Sequence, residues 1–285
     1  MVTHTVTYLA VASATSTWTW TGHVVTVIMS GLFLIMFDLA NQFLGVEEDT
    51  INKPWRPIPK GLMTVQGCKV RYGIVSVAFL LAGMHNKQTF PCVLWFLDVL
   101  GYVVQWDKNW FFKTFVFMPV AVMANIMLPA SLVVGSQPAV LEWVAVYALF
   151  WTVPFMVQDL KDMEGDCKTG RTTLPLMMGE KHFRAMLFCL IGIGSPLALW
   201  QLVAPHSGAS KAWLCILWNL PYVFVILYRL AFKSGPEAHR LTYKFVELMF
   251  VFGTPLCMFF VLPTIVVSEG YVQTLTPMPS MSDVW

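Results

Sequence analysis

Gly22–Leu44 reads GHVVTVIMSGLFLIMFDLANQFL, a predominantly apolar run. At roughly 1.5 Å per residue, a helix of this length crosses a hydrocarbon core of about 30 Å. The run leads directly into Gly45-Val46-Glu47-Glu48-Asp49, which ends in three successive carboxylates. The same passage from hydrocarbon into acid recurs: apolar Leu141–Val157 is followed by Asp159-Leu-Lys-Asp162-Met-Glu164-Gly-Asp166, beginning 110 residues after Asp49.

Further apolar runs lie at Met63–Met84, Phe90–Trp106, Thr114–Val134, His182–Val203, Ala212–Phe232 and Tyr243–Val267, and a shorter one at Val2–Thr15. A chain that is 57% hydrophobic and 12% charged, with mean hydropathy +0.64, is not an ordinary soluble domain. Backbone amides must be satisfied within lipid, and runs this long exceed strand length, so helices are predicted rather than a barrel. The expected fold is an all-α integral membrane bundle of about nine transmembrane helices, the first short, around a central cavity. Without a linker long enough to separate domains, residues 1–285 are read as one unit. Prolines at 119, 129, 154, 196 and 255 predict kinks that neighbouring helices tolerate. The two acidic segments suggest two pseudo-related helical units, and the tail after Glu269 is expected to be irregular.

Alternating the loops across these spans puts sixteen of the eighteen Lys and Arg residues on one side; only Lys87 and Lys211 fall on the other. By the positive-inside rule both acidic segments then face the cytoplasm. A fungal source would place such a protein in the endoplasmic reticulum. The six cysteines show no zinc spacing and are expected to be buried free thiols. The six histidines are isolated, no GxGxxG or GxxxxGK loop is present, and the basic loops are too short for nucleic acid. The predicted surroundings are membrane lipid, with no nucleic acid and no protein partner.

Seven of the sixteen carboxylates fall within the two acidic segments. If helix persists, Asn41, Gly45 and Asp49 share a face at i, i+4 and i+8, and Asp159, Asp162 and Asp166 at i, i+3 and i+7. Carboxylates at a helix C-terminus oppose the macrodipole and repel one another, so they call for a cation. Hard oxygen donors suit Mg²⁺, which uses a few carboxylates plus substrate phosphates. One divalent-metal site divided between the two segments is the expectation. Lys53, Arg56, Lys60, Lys168 and Arg171 flank the segments and either anchor the loops or clamp a diphosphate. A transporter would place its ion site near the bilayer midplane, whereas these carboxylates lie at one face.

The stretch 41–61, NQFLGVEEDTINKPWRPIPKG, and the stretch 159–175, DLKDMEGDCKTGRTTLP, resemble the two signature regions of the UbiA superfamily of intramembrane prenyltransferases. The second is the more specific match. The first departs from the family pattern N-D-x-x-D-x-x-x-D: Asn41 and Asp49 keep the outer positions, Gln42 and Gly45 replace two aspartates, and Glu48 or Glu47 offers charge from a shifted position. This altered form is similar to the fungal branch that includes membrane-bound terpene cyclases of the bergamotene and cyathane types.

The resemblance implies nine transmembrane helices and Mg²⁺-dependent ionisation of a polyprenyl diphosphate. It implies Asn41, Glu48, Asp49, Asp159, Asp162 and Asp166 as metal ligands, with Asp49, Asp159 and Asp162 central to catalysis. Lys53, Arg56, Lys168 and Arg171 would hold diphosphate, as would a lysine between the fourth and fifth helices, Lys108 or Lys113. The implied activity is a class I terpene cyclase acting on farnesyl or geranylgeranyl diphosphate in terpenoid biosynthesis. The alternative is a prenyltransferase with an aromatic or quinone-like acceptor.

Trp18, Trp20, Trp106, Trp110 and Trp143 read as an interfacial belt. Trp95, Phe96, Tyr102, Phe117, Tyr147, Phe155 and Tyr222 are candidate cavity aromatics, whose ring faces would stabilise a cation. Asp98 lies inside an apolar span, where a carboxylate either pairs with a neighbouring helix or assists catalysis. Asn125, also mid-span, reads as an interhelical hydrogen bond or a pocket contact.

Overall fold

Every apolar run forms helix. The computed structural model describes residues 2–52, 54–168 and 170–268. Its helices are α1 (Val2–Ala14), α2 (Trp20–Leu44), α3 (Val46–Asn52), α4 (Val65–His85), α5 (Thr89–Val103), α6 (Trp110–Val134), α7 (Pro138–Phe155), α8 (Val157–Lys168), α9 (Leu174–Met178), α10 (Glu180–Ser207), α11 (Ala209–Phe232) and α12 (Pro236–Ser268). No strand occurs among the described residues. Seven helices (α2, α4, α6, α7, α10, α11 and α12) are long and apolar enough to cross a membrane. The remaining two expected spans are α1 and α5, only 13 and 15 residues long. The tail after Ser268 lies outside the described residues.

Local chemistry sets several boundaries. Thr19 and Thr64 cap α2 and α4, their hydroxyls accepting from the amides of Gly22 and Gly67 at 3.0 Å in each case. Asn109 caps α6 through the Phe111 amide at 2.9 Å. Gln105, in the left-handed region at φ 64°, stops α5 and turns the chain into a 3₁₀ turn at Trp106–Lys108. Pro154 lacks an amide proton, and α7 ends just beyond it; Met156 alone separates α7 from α8.

The surface is that of a protein in lipid. Ile74, Leu81, Leu97, Leu149, Ile193, Leu197, Trp213 and Phe224 are all more than half exposed, which water would penalise and hydrocarbon does not. This is a multi-pass membrane protein. The buried apolar residues divide into two clusters. One holds Phe33, Phe79, Trp95 and Leu128 from α2, α4, α5 and α6. The other holds Ile126, Tyr147, Trp151, Leu187, Ile226 and Met258 from α6, α7, α10, α11 and α12. Helix α6 belongs to both and joins the two clusters.

Small residues bring helices close. A Cβ on Gly101 of α5 would lie 2.4 Å from Cε1 of Phe117 on α6, so that ring rests on bare backbone. Gly101→Val is expected to lower stability by about 1–3 kcal/mol through overpacking, read as a drop in the thermal unfolding midpoint in detergent. A wild-type midpoint would contradict this packing.

Two expectations need correction. Trp143 is not interfacial: it is 5% exposed and donates from Nε1 to the Leu202 carbonyl at 2.8 Å, tying α7 to α10. Among the cysteines, Cys167 and Cys189 are exposed rather than buried, since they fall on outward faces of α8 and α10; all six are free thiols.

Candidate active site

The second acidic segment is better placed for its charge than helix C-terminal carboxylates would be. Because the chain breaks at Met156, Asp159 sits in the first turn of α8, where the macrodipole favours an anion. Asp159, Asp162 and Asp166 then follow on one uninterrupted helix, as their spacing predicts. Asp159 and Asp166 are both 4% exposed, whereas the Asp162 side chain keeps 43% of its surface and pairs with Lys161 at 3.1 Å.

Lys113 meets this face from α6. Its Nζ donates to Asp159 Oδ1 at 2.7 Å and lies 4.0 Å from Asp166 Oδ2, with 14% of the side chain exposed. It stands at the start of a π turn, Lys113–Phe117, whose extra residue per turn locally rewinds the helix; such bulges are frequent at functional sites. Lys108, in the preceding 3₁₀ turn, is exposed. The structure thus brings Lys113, and not Lys108, to the acidic face.

The loop after α8 returns a second cation. Gly170 takes φ 67°, and the Arg171 amide donates to the Asp166 carbonyl at 2.9 Å. This is the glycine-terminated helix end in which the chain folds back over its last turn. The Arg171 guanidinium consequently lies 3.6 Å from Asp166 Oδ1. Burial pushes the Asp166 carboxyl above its usual value, and the Lys113 and Arg171 charges pull it back. Lys168 points elsewhere: it pairs with Glu164 at 2.7 Å, both side chains more than 70% exposed.

The first segment is built across a bend. Gly45 closes α2, yet its amide bonds to the Asn41 carbonyl at 3.0 Å and the Asp49 amide bonds to the Gly45 carbonyl at 2.8 Å, so the ladder continues into α3. A Cβ on Gly45 would be 3.9 Å from Asp49 Cγ, so Asn41 and Asp49 stay on one side. Asp49 is 2% exposed and pairs with Arg56 at 2.5 Å. The Asn41 side-chain oxygen accepts from the Tyr102 hydroxyl at 3.0 Å. Lys53 and the side chain of Glu48 lie outside the described residues.

The two segments are linked through α5 and α6. Tyr102 of α5 holds Asn41, Gly101 carries Phe117, and one turn from Phe117 on α6 stands Lys113 with Asp159. Beside that pair is a small cavity of about 10 Å³ lined by Lys113, Thr114, Met118, Thr152, Phe155, Met156 and Asp159. It has a charged end and apolar walls. Among the described residues, no three His, Cys, Asp or Glu side chains are gathered as a ready-made metal centre. The donor set nonetheless fits Mg²⁺: it is all hard oxygen, two of its carboxylates already converge on the cationic nitrogen of Lys113, and magnesium in diphosphate sites takes most of its ligands from substrate and water.

Sequence reasoning passed over two residues. Asp38, one turn before Asn41, is exposed within α2 and in electrostatic reach of Arg56; its i, i+3 spacing to Asn41 is the available signal. Lys161 neutralises Asp162 and lies 5.2 Å from the centre of the Tyr243 ring, a contact that only tertiary structure reveals.

Residues 1–253 match the UbiA prenyltransferase family. Among curated proteins, the chain is 31% identical to Somaliensene A/B synthase of Streptomyces somaliensis over 221 residues, 76% of this chain and 72% of that one. It is 29% identical to Diterpene cyclase eriG of Hericium erinaceus over 237 residues, 79% of this chain and 72% of that one. It is 27% identical to Polyprenyl transferase eriF of the same organism over 232 residues, 77% and 75% of the two chains. In fold it is similar to a solved structure of digeranylgeranylglyceryl phosphate synthase, with TM-score 0.59, 19% identity, and coverage of 93% of this chain and 91% of that one.

Proposed function

We propose, from the premise that the chain belongs to the UbiA prenyltransferase family, that it is a Mg²⁺-dependent class I terpene cyclase acting on a linear prenyl diphosphate, farnesyl or geranylgeranyl. The observation that carries the ionising half of this reading is the Lys113–Asp159–Asp166 cluster at the mouth of an apolar bundle. The cyclising half is supported by Gln42 and Gly45 in the first motif and by the likeness to a diterpene cyclase.

Arg56, Lys113 and Arg171 each stand against a carboxylate, so each is positioned to exchange that partner for diphosphate oxygens. Arg56 and Arg171 can do so with two parallel donors, Lys113 as a point charge. Asp49, Asp159, Asp162 and Asp166, with Asn41, would hold Mg²⁺, which when bound neutralises charge on the departing diphosphate. As the C1–O bond breaks, its electron pair leaves with that oxygen, and the cationic amines and guanidiniums stabilise the growing negative charge. The prenyl chain lies below in the bundle, where Met118, Phe155 and their neighbours exclude water. There a double bond of the substrate attacks the cation, and loss of a proton ends the reaction. The motifs face the cytoplasm in this arrangement, in keeping with the lysine and arginine asymmetry.

The likeness to a polyprenyl transferase supports a second reading, transfer to an aromatic or quinone-like acceptor after the same ionisation. Purified protein incubated with Mg²⁺ and each prenyl diphosphate, with and without an aromatic acceptor, separates the two. Cyclic hydrocarbon indifferent to the acceptor is expected; product that forms only with the acceptor would overturn the cyclase reading.

A further inference from the structure

Asp98 sits on α5 with 9% of its surface exposed and forms no hydrogen bond or ion pair with another described residue. The interhelical partner that would make it a structural tie is therefore missing among those residues. A carboxylate in a lipid-spanning bundle is costly when unpaired, and such residues mark function.

Its location is well defined by its neighbours. On the same helix, Trp95 Nε1 donates to the Phe33 carbonyl at 3.0 Å and Tyr102 donates to Asn41 at 3.0 Å, so this face of α5 is turned to α2. The Phe37 ring of α2 lies 5.9 Å from Trp95 and 5.4 Å from Tyr102, the residues flanking Asp98 along the helix. Gly101, three residues on, lies against Phe117 of α6. Asp98 thus occupies the interior between α2 and α6. It lies one turn, about 6 Å, deeper than the Asn41–Tyr102 bond. Lys113 is a further turn above Phe117 on α6, so Asp98 lies below both motif contacts.

Resting on the cyclase reading above, we infer that Asp98 is the base that ends the reaction. A C–H bond next to the cationic carbon breaks, its electron pair becomes the new C=C bond, and the proton passes to a carboxylate oxygen of Asp98. Water admitted as the product leaves carries that proton away. Before that step the carboxylate and the rings of Phe37, Trp95 and Tyr102 stabilise positive charge at the same depth.

The test uses the full chain in lipid nanodiscs with Mg²⁺ and each prenyl diphosphate, without acceptor. Diphosphate released and organic products are measured for wild type, Asp98→Asn and Asp98→Leu. The variants are expected to keep diphosphate release within about threefold while the ratio of cyclic hydrocarbon to diphosphate falls about tenfold or more, the scale of a lost proton acceptor. Alcohols and acyclic olefins take up the difference. Asp98→Leu is also expected not to lower the thermal unfolding midpoint, because it removes an unpartnered buried polar group. Wild-type products at wild-type rates in both variants would overturn the role of Asp98 alone. So would loss of diphosphate release in a folded variant, or a lowered midpoint with unchanged product composition. No acceptor-free diphosphate release from the wild type would overturn the cyclase reading itself, and the role of Asp98 with it.

Discussion

Replacing Lys113 by methionine is expected to cut diphosphate release by about a hundredfold to a thousandfold, the cost of removing one preorganised donor to a developing anion. Lys113 is the cation to which two nearly buried carboxylates are oriented, at 2.7 and 4.0 Å. Its loss leaves Asp159 without its partner and Asp166 with Arg171. Breaking such a pair costs of order 3 kcal/mol, so the variant's unfolding midpoint should fall as well. Lys113→Arg restores the charge and should recover part of both losses, whereas Lys108→Met, at an exposed turn, should stay within about threefold of wild type. Equal effects at Lys108 and Lys113 would contradict the site.

Asp159→Asn is the complementary change. It keeps shape and an acceptor oxygen but removes the charge at the first turn of α8. Turnover at saturating Mg²⁺ should fall about a hundredfold, and the Mg²⁺ concentration for half-maximal release should rise about tenfold or more, as when a metal ligand set is weakened. The two readouts come from one magnesium titration of diphosphate release. An unchanged half-maximal concentration would remove Asp159 from the metal ligands. A Glu164→Gln variant serves as control, because Glu164 and Lys168 pair on the exposed side of the same helix.

Much of the fold is legible in the sequence because lipid imposes one solution on long apolar runs. The runs beginning near Gly22 and Ala212 match α2 and α11 closely at both ends. Other boundaries move for local reasons that hydropathy does not carry: Gln105 in the left-handed region ends α5 before Trp106, and Pro154 with Met156 divides α7 from α8. That division also reverses the electrostatic reading of Asp159, from an anion at the unfavourable end of a helix to one at the favourable end. In the site, the i, i+3, i+7 spacing of Asp159, Asp162 and Asp166 is readable because an intact helix fixes it. The choice of Lys113 over Lys108 is not, since it depends on a π turn and on how α6 lies against α8. Similarly, Arg171 reaches Asp166 only because Gly170 folds the chain back, while Lys168, nearer in sequence, turns outward to Glu164.

The central claim is that one site both ionises the diphosphate and lets the substrate close on itself. The most direct measurement is the carbon balance of the wild-type protein in nanodiscs with Mg²⁺ and a prenyl diphosphate, no acceptor being present. The account predicts one molecule of cyclic hydrocarbon for each diphosphate released with the preferred chain length, and no turnover once Mg²⁺ is chelated. Diphosphate release only when an aromatic or quinone-like acceptor is supplied, with the prenyl group recovered on that acceptor, would contradict it.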